Sequence, residues 1–492
     1  MSYPVAPSPR RPVPPSNLLP LRILIPLIVA CALFMENLDG TVLSTALPAI
    51  ALDLHESPIQ LKLALTSYLI SLAVFIPASG WFADRFGGRQ IFRLAIIVFA
   101  LGSALCGFAN SVAFLVIARA LQGVGGAMMV PVGRLVILRT IPRSDLVNAL
   151  AWLTIPALIG PVLGPPVGGF ITTFFTWRWI FWINLPVAAF GVYLASRYIP
   201  AIYGEEVPTF DTLGFIYSGI GLSALSAGSA LVDAPILPLW SILALFVAGI
   251  LSIILYVRHA RRVPNPILDL SLLRFVTFRA GIVGGSFFRI GVGAMPLLLP
   301  LLFQLGFGYS PLQSGLLTFV AAIGAMFMKT AAGAVLRRFG FRRTLVLNAI
   351  ISAALIAAPA VFQQNTPITW MLVVLFVGGF FRSLQFTCIN AISYAEIEQP
   401  AMSQATSFTS AFQQIALSGG ITVGALLLQG SLAARHSQEL TAQDFPLAFI
   451  VVGIISLFSF FSFHALPPGA GEEMARRKRV GSAAVAVANS KS

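Results

Sequence analysis

About fourteen apolar runs, each near 20 residues and so long enough to carry a helix across a ~30 Å hydrocarbon layer, occupy this 492-residue chain from end to end. The first lies near Ile23–Thr45 and the last near Pro446–Phe463. Lipid offers backbone groups no hydrogen-bonding partner, so segments of this kind fold as helices. With 57% hydrophobic and only 10% charged residues, the chain lacks the charge that a soluble surface requires. It reads as an all-α, multi-pass integral membrane protein.

The connections alternate in charge. Arg85, Arg89 and Arg93, then Arg139 and Arg143, then Arg258, Arg261 and Arg262, then Arg337, Arg338, Arg342 and Arg343 fall on one side; Lys62, Arg178 and Arg435 are nearly all that the other side receives. The positive-inside rule makes the first side cytoplasmic, and an even number of spans brings both termini there, with Arg10 and Arg11 at one end and Arg476–Arg479 at the other. The net charge of +14 is thus a matter of topology, because the basic residues come one loop at a time and form no nucleic-acid face. The Pro-rich start, Ser2 to Pro20, reads as a disordered cytoplasmic tail. The first apolar run carries Glu36 and Asp39 and is expected to remain as the first span. Cys31, Cys106 and Cys388 fall within expected spans, and His55, His259, His436 and His464 are scattered, so neither a disulfide, a metal centre nor a hydrolytic constellation is expected.

Two connections are versions of one another: Gly80-Trp-Phe-Ala-Asp-Arg-Phe-Gly-Gly-Arg89 and Gly333-Ala-Val-Leu-Arg-Arg-Phe-Gly-Phe-Arg342. Arg119-Ala-Leu-Gln122 is echoed by Arg382-Ser-Leu-Gln385 at nearly the same offset. A duplicated membrane chain suits a secondary transporter, in which two similar bundles rock about a site between them. The offset starts the second copy near Val276 and leaves the seventh and eighth spans as an inserted pair. The expected organisation is a tail over 1–20, a six-helix bundle over 21–200, an inserted two-helix linker over 201–262, a second six-helix bundle over 263–466 and a basic cytoplasmic tail over 467–492.

The loop Gly80–Arg89 resembles the signature loop of the major facilitator superfamily, Leu115–Ala127 resembles its fourth-span Arg/Gly motif, and Gly160-Pro-Val-Leu-Gly-Pro-Pro-Val-Gly-Gly169 resembles its antiporter motif. Asn37–Pro48 resembles the first-span motif of the fourteen-span drug/proton antiporter branch, the EmrB/QacA-like group, within which the chain is most similar to MdtD/HsrA-like transporters. The resemblance covers nearly the whole chain apart from its tails. It implies a major facilitator fold with two six-helix bundles, an inserted helix pair, 14 transmembrane helices and both termini cytoplasmic. Gly88 departs from the basic residue usual in the loop motif, and Arg337 stands where a second copy would match Asp84. The gating role therefore falls to the first copy.

In that loop Gly80 and Gly87 permit a tight turn, Asp84 can accept from a helix N-terminus, and Arg85 and Arg89 can reach acidic groups or lipid phosphates. Such a cluster can latch one side shut; a plain basic turn would explain the arginines but not the aspartate among them. In the antiporter motif, Gly160, Pro161, Gly164, Pro165, Gly168 and Gly169 remove side-chain bulk and backbone hydrogen bonds together. Close helix approach and a bend result, beyond the mere packing of a small-residue span.

Charges within spans pair, line water or work. Glu36 and Asp39 are three apart and share roughly one helix face. The resemblance places Glu36, Asp39, Arg119, Arg289 and Arg382, with Gln122 and Gln385, around a central cavity. Asp39 beside Arg119 is the expected proton-coupling pair, against the alternative of a purely structural neutralisation. Glu36 repeats the position of Arg289, so the two could face each other as a gate, a substrate clamp or a neutralising pair. Lys329 and Arg134 are expected to snorkel to the interface, and Trp177, Trp179 and Trp182 to form an interfacial belt. Three arginines against two carboxylates favour an anionic or zwitterionic cargo, and Phe287, Phe288, Phe381 and Phe386 beside the arginines suit bulky apolar groups.

The chain is therefore expected to be a non-enzymatic exporter of the bacterial inner-membrane type that exchanges a proton for a small organic compound. It is expected to act as a monomer among membrane lipids, with no nucleic-acid partner and no cofactor beyond the proton. The rivals are an exporter of an organic anion or siderophore-like metabolite, and a sensor that transports nothing. A membrane-embedded enzyme would need a nucleophile, metal cluster or phosphate loop that the sequence does not present.

Overall fold

The computed structural model describes residues 21–141, 146–203, 209–231, 238–398, 401–437 and 439–471. Among these the fold is all helical. In chain order the long helices are α1 (Leu21–Leu54), α2 (Lys62–Phe86), α3 (Gly88–Gly107), α4 (Val112–Thr140), α5 (Leu146–Phe174), α6 (Trp179–Tyr198), α7 (Thr212–Leu231) and α8 (Leu239–Ala260). They continue with α9 (Val276–Leu301), α10 (311–339), α11 (341–357), α12 (Ile368–Ser393), α13 (Met402–Ala434) and α14 (Ala442–His464). Twelve segments among the described residues are long and apolar enough to cross a membrane. To these α5 adds 29 residues of helix and α7 adds 20. The expected tail 1–20, with Arg10 and Arg11, lies outside the described residues, as do Arg143 and positions 472–492 with Arg476–Arg479.

The two repeated loops make the same turn. Gly87, at φ 93°, alone separates α2 from α3, and Gly340, at φ 72°, breaks the continuous stretch Pro311–Ala357 into α10 and α11. Only glycine adopts this left-handed backbone without a Cβ clash. After each turn an arginine reaches the end of the helix that closes its repeat. Arg89 Nη1 donates to Ile199 O at 3.4 Å, and Arg342 Nη2 donates to His464 O at 2.9 Å. Caps start other helices: the Phe114 N–H donates to Ser111 Oγ at 3.2 Å ahead of α4, and Ser310 and Gln313 form a capping box at the start of α10.

Within the first repeat α1 packs along α5, and α4 packs against both α2 and α3. In the second, α9 packs along α13, α12 lies against the stretch containing α10 and α11, and α14 contacts α9. The repeats meet where α5 touches α10 and α2 touches α13. The pair α7 and α8 pack on each other, and α7 also rests on α2 and α13. Phe210, just before α7, lies 4.7 Å from the Trp81 ring and 5.9 Å from that of Phe82. Asp211 ties α7 both to the end of α8 and to the connector leading into α9, lying 2.6 Å from His259 Nε2 and accepting from the Ile267 N–H at 3.1 Å.

Candidate functional site

Asp39, 4% exposed, sits on α1 where α3, α4 and α6 close around it. Its Oδ2 accepts from Arg119 Nη1 at 2.5 Å, while Oδ1 accepts from Gln122 Nε2 at 2.9 Å and Asn184 Nδ2 at 3.1 Å. Arg119 and Gln122 are three apart on α4 and share a face, and Arg119 Nη1 also donates to Gln122 Oε1 at 2.8 Å. Arg119 Nε reaches Ala64 O on α2 at 3.3 Å. Asn184 spends its second hydrogen on Ser103 Oγ at 3.0 Å, and that hydroxyl donates to Phe181 O at 2.8 Å. The guanidinium carbon lies 4.3 Å from the centre of the Tyr68 ring.

Glycines make this closeness possible. A Cβ on Gly102 of α3 would stand 2.5 Å from the Gln122 nitrogen, and one on Gly125 of α4 would stand 2.8 Å from Phe99 Cα. The Arg/Gly motif therefore presses α4 onto α3 while aiming Arg119 and Gln122 at Asp39. A buried ion pair of this kind repays its desolvation only through good geometry and extra hydrogen bonds, and here the carboxylate has three donors.

The second repeat keeps the arginine and glutamine but not the acid. Arg289 repeats Glu36, so Val292 repeats Asp39. Arg382 Nε donates to Gly378 O of its own helix at 3.2 Å, and among the described residues no carboxylate pairs with it. Gln385 is fully buried, accepting from Asn348 Nδ2 at 2.8 Å and donating to Leu345 O at 3.2 Å. Arg289 is fully buried, donates from Nη2 to Asn390 Oδ1 at 3.0 Å, and leaves Nε and Nη1 without a partner. Glu36 is half-buried with Oε2 unpartnered, and no ion pair joins it to Arg289. Of the phenylalanines, Phe288 is buried edge-on to Phe386 at 5.2 Å, Phe381 is half-buried, and Phe287 turns outward to Phe458 at 6.0 Å.

In the first loop Asp84 pairs with Arg139 at the end of α4, 2.8 Å away, instead of accepting from a helix N-terminus. Arg85 is exposed, and a Cβ on Gly80 would meet nothing within 4 Å, so the turn depends on Gly87. Lys329 and Arg134 are exposed. The expected tryptophan belt is corrected at Trp177, which is 4% exposed because its Nε1 donates to Asp53 Oδ2 at 3.1 Å, the same oxygen that Arg178 holds at 2.7 Å. Trp179 does remain exposed.

The Major Facilitator Superfamily profile matches residues 29–295 and 281–488. The chain belongs to the major facilitator superfamily. Relatives named "Putative multidrug resistance protein MdtD" include one from Pectobacterium atrosepticum, 37% identical over 453 residues, 90% of this chain and 95% of that one. Another, from Escherichia coli, is 35% identical over 460 residues, 92% of this chain and 97% of that one. A D-xylose–proton symporter shares the fold at TM-score 0.66 and 17% identity, over 91% of this chain and 98% of the other. So does a point variant of the nucleoside transporter NupG, at TM-score 0.63 and 12% identity, over 91% and 99%. As a member of this superfamily the chain is a multi-pass secondary transporter and not an enzyme.

In this major facilitator chain the antiporter motif has two working faces. Gly160, Gly164 and Gly168, spaced by four, let α5 lie on Asn37, Thr41 and Val42 of α1; a Cβ on Gly168 would stand 2.6 Å from Val42 O. Gly169 and Pro165 turn the other way, to α10. A Cβ on Gly169 would stand 2.5 Å from Pro311 O, and one on Gly315 would stand 2.9 Å from the Pro165 carbonyl carbon. Two hydrogen bonds cross between the repeats at this same end: the Leu312 N–H donates to Thr173 Oγ1 at 3.2 Å, and Gln304 Nε2 donates to Thr45 O at 2.9 Å. Gln304 lies in a π-helical turn, Leu302–Gly306. Asn184, Ser103, Tyr68 and Gln304 escaped the sequence reading; the lone amide of Asn184 inside the apolar run of α6 was the only signal among them.

Proposed function

We propose that the protein exports small organic compounds across a bacterial inner membrane in exchange for protons moving inward. The observation that carries this reading is the buried carboxylate of Asp39 held by Arg119, Gln122 and Asn184. Placing a charge mid-membrane costs about 2.5–3.5 kcal/mol even on the mild insertion scale, so such residues are kept for use. A proton on Asp39 removes the counter-charge of Arg119, and an uncompensated buried charge costs about 3–5 kcal/mol. Rearrangement of α1 against α4 relieves that cost, so proton binding favours one conformation and release the other. An entering proton adds about 2.3 kcal/mol per 100 mV of membrane potential. The relatives' naming as multidrug resistance proteins supports organic compounds as cargo.

In this reading residues 21–200 and 263–466 are the moving bundles, 201–262 the inserted pair, and the tails 1–20 and 467–492 are both cytoplasmic. Glu36, Arg289 and Arg382 face the cargo, the Asp84–Arg139 pair with Gly80, Arg85, Gly87 and Arg89 gates the cytoplasmic side, and the antiporter motif seals the other. One chain embedded in lipid suffices.

A second reading, export of an organic anion, is favoured by one observation: Arg289 is fully buried with two guanidinium nitrogens unpartnered. A carboxylate on the cargo would give this guanidinium an acceptor and the counter-charge it lacks. Protein reconstituted in liposomes around a pH-sensitive dye, challenged with lipophilic cations and then organic anions, separates the readings, with Asp39→Asn as control. Proton movement answered by cations supports multidrug exchange, and movement answered by anions alone supports the second reading. Silence to both panels would refute export and favour a sensor, whereas movement unchanged in Asp39→Asn would refute coupling through Asp39.

A further inference from the structure

Both oxygens of Asp39 are taken by Arg119, Gln122 and Asn184, and the residue is 4% exposed, so a proton arrives there only through a neighbouring group. Two polar atoms beside the network are buried without a partner: Glu36 Oε2 and the Tyr68 hydroxyl. Buried polar atoms nearly always find partners, and each exception calls for a cause. Glu36 precedes Asp39 by about one turn on α1 and is half-buried, so part of the residue stays accessible while its Oε2 is enclosed. Tyr68, on α2, lies with its ring 4.3 Å from the Arg119 guanidinium carbon and its hydroxyl within electrostatic reach of both Glu36 and Asp39. Gly126 makes room for that hydroxyl, since a Cβ there would stand 2.9 Å from it. The other ionisable groups nearby are Arg134, which acts electrostatically on Glu36, and Cys106, whose thiol donates to Gln122 Oε1 at 3.8 Å.

We infer that Glu36 and Tyr68 form the path by which a proton reaches Asp39. Glu36 takes the proton from the accessible side. Its O–H bond then breaks as the Tyr68 oxygen gains that hydrogen, while the Tyr68 O–H breaks as an Asp39 oxygen gains the other. Tyr68 ends as it began, Glu36 returns to carboxylate and Asp39 becomes neutral; no electron is transferred and no co-reactant is needed. The inference rests on Asp39 as the coupling group, and the two are separable by experiment.

An external acid jump on proteoliposomes with a luminal pH dye gives both the rate and the amplitude of protein-mediated proton uptake. Tyr68→Phe keeps the ring beside Arg119, and Glu36→Gln keeps the shape of the side chain. Losing one acid–base group from a transfer chain slows it by at least about 10-fold, so both variants should be slowed by that factor with altered pH dependence and solvent isotope effect. Glu36→Asp should restore part of the rate, which a packing defect at Glu36→Gln would not predict. Wild-type rates in both Glu36→Gln and Tyr68→Phe would overturn the path. Full amplitude in Asp39→Asn would overturn the coupling role of Asp39 itself. If Tyr68→Phe fails to fold, the rate of Glu36→Gln decides alone.

Discussion

Replacing Arg119 with glutamine tests the energetics of the buried network most directly. Its side chain is 1% exposed and that of Asp39 is 2% exposed, so water solvates neither charge. Arg119→Gln leaves the carboxylate with only the amide donors of Gln122 and Asn184, at 2.9 and 3.1 Å, and no counter-charge. Asp39→Asn leaves the guanidinium with Gln122 Oε1 at 2.8 Å and Ala64 O at 3.3 Å and no anion. Each single change should therefore cost about 3–5 kcal/mol. The double variant Asp39→Asn/Arg119→Gln removes both charges, and the hydrogen bonds it forfeits are worth about 0.5–1.5 kcal/mol each. The double variant should thus be more stable than either single one. Thermal unfolding of the purified protein in detergent, followed by tryptophan fluorescence, reads the order of stability. If the double variant unfolds below both singles, the losses add, the two charges are uncoupled, and the reasoning fails.

Four further outcomes are expected. Gly169→Val, whose new Cβ would press on the Pro311 carbonyl at 2.5 Å, should prevent α5 from closing on α10 and abolish liposome flux. Gly430→Ala, with nothing within 4 Å of its Cβ, should instead raise thermal stability by up to about 1 kcal/mol; flux in the first or destabilisation in the second would show these packing distances to be misjudged. Asp84→Asn should cost no more than about 1 kcal/mol of stability, because its pair with Arg139 is partly exposed, yet should slow transport, and the charge swap Asp84→Arg/Arg139→Asp should recover part of the rate. Gln304→Leu breaks the bond to Thr45 O and should hasten labelling of a Thr41→Cys probe by an impermeant thiol reagent, whereas an unaltered labelling rate would mean that this bond holds nothing shut.

What sequence revealed and what it hid divide along physical lines. The turns at Gly87 and Gly340 were legible because a repeated glycine beside arginines marks a backbone demand that is local. Asp39 and Arg119 were legible because charge in an apolar run is costly enough to stand out, and Gln122 because Arg119-Ala-Leu-Gln122 is echoed at Arg382–Gln385. Asn184, Ser103 and Tyr68 enter the network each as a lone polar side chain on its helix, and one polar residue in a helix leaves no period to read. Repeat alignment placed Glu36 and Arg289 at equivalent positions but carried nothing about how each helix is rotated, and the two side chains find no ion pair with each other. Trp177 was misread because its partner, Asp53, is distant in sequence and only the fold brings it close. The spacing of Gly160, Gly164 and Gly168 announced a close neighbour without saying whether it would be α1 or α10.

Between Asp39 and Thr45 helix α1 rises only about 9 Å. The carboxylate proposed to take up the proton and the carbonyl gripped by Gln304 are therefore mounted on one short axle, and Thr41 and Thr45 on that axle are the surfaces against which Gly164 and Gly168 pack. A small twist of α1 would be felt at once at the seam between the two repeats, so the engine and the door need no linkage other than the stiffness of fewer than about two helical turns.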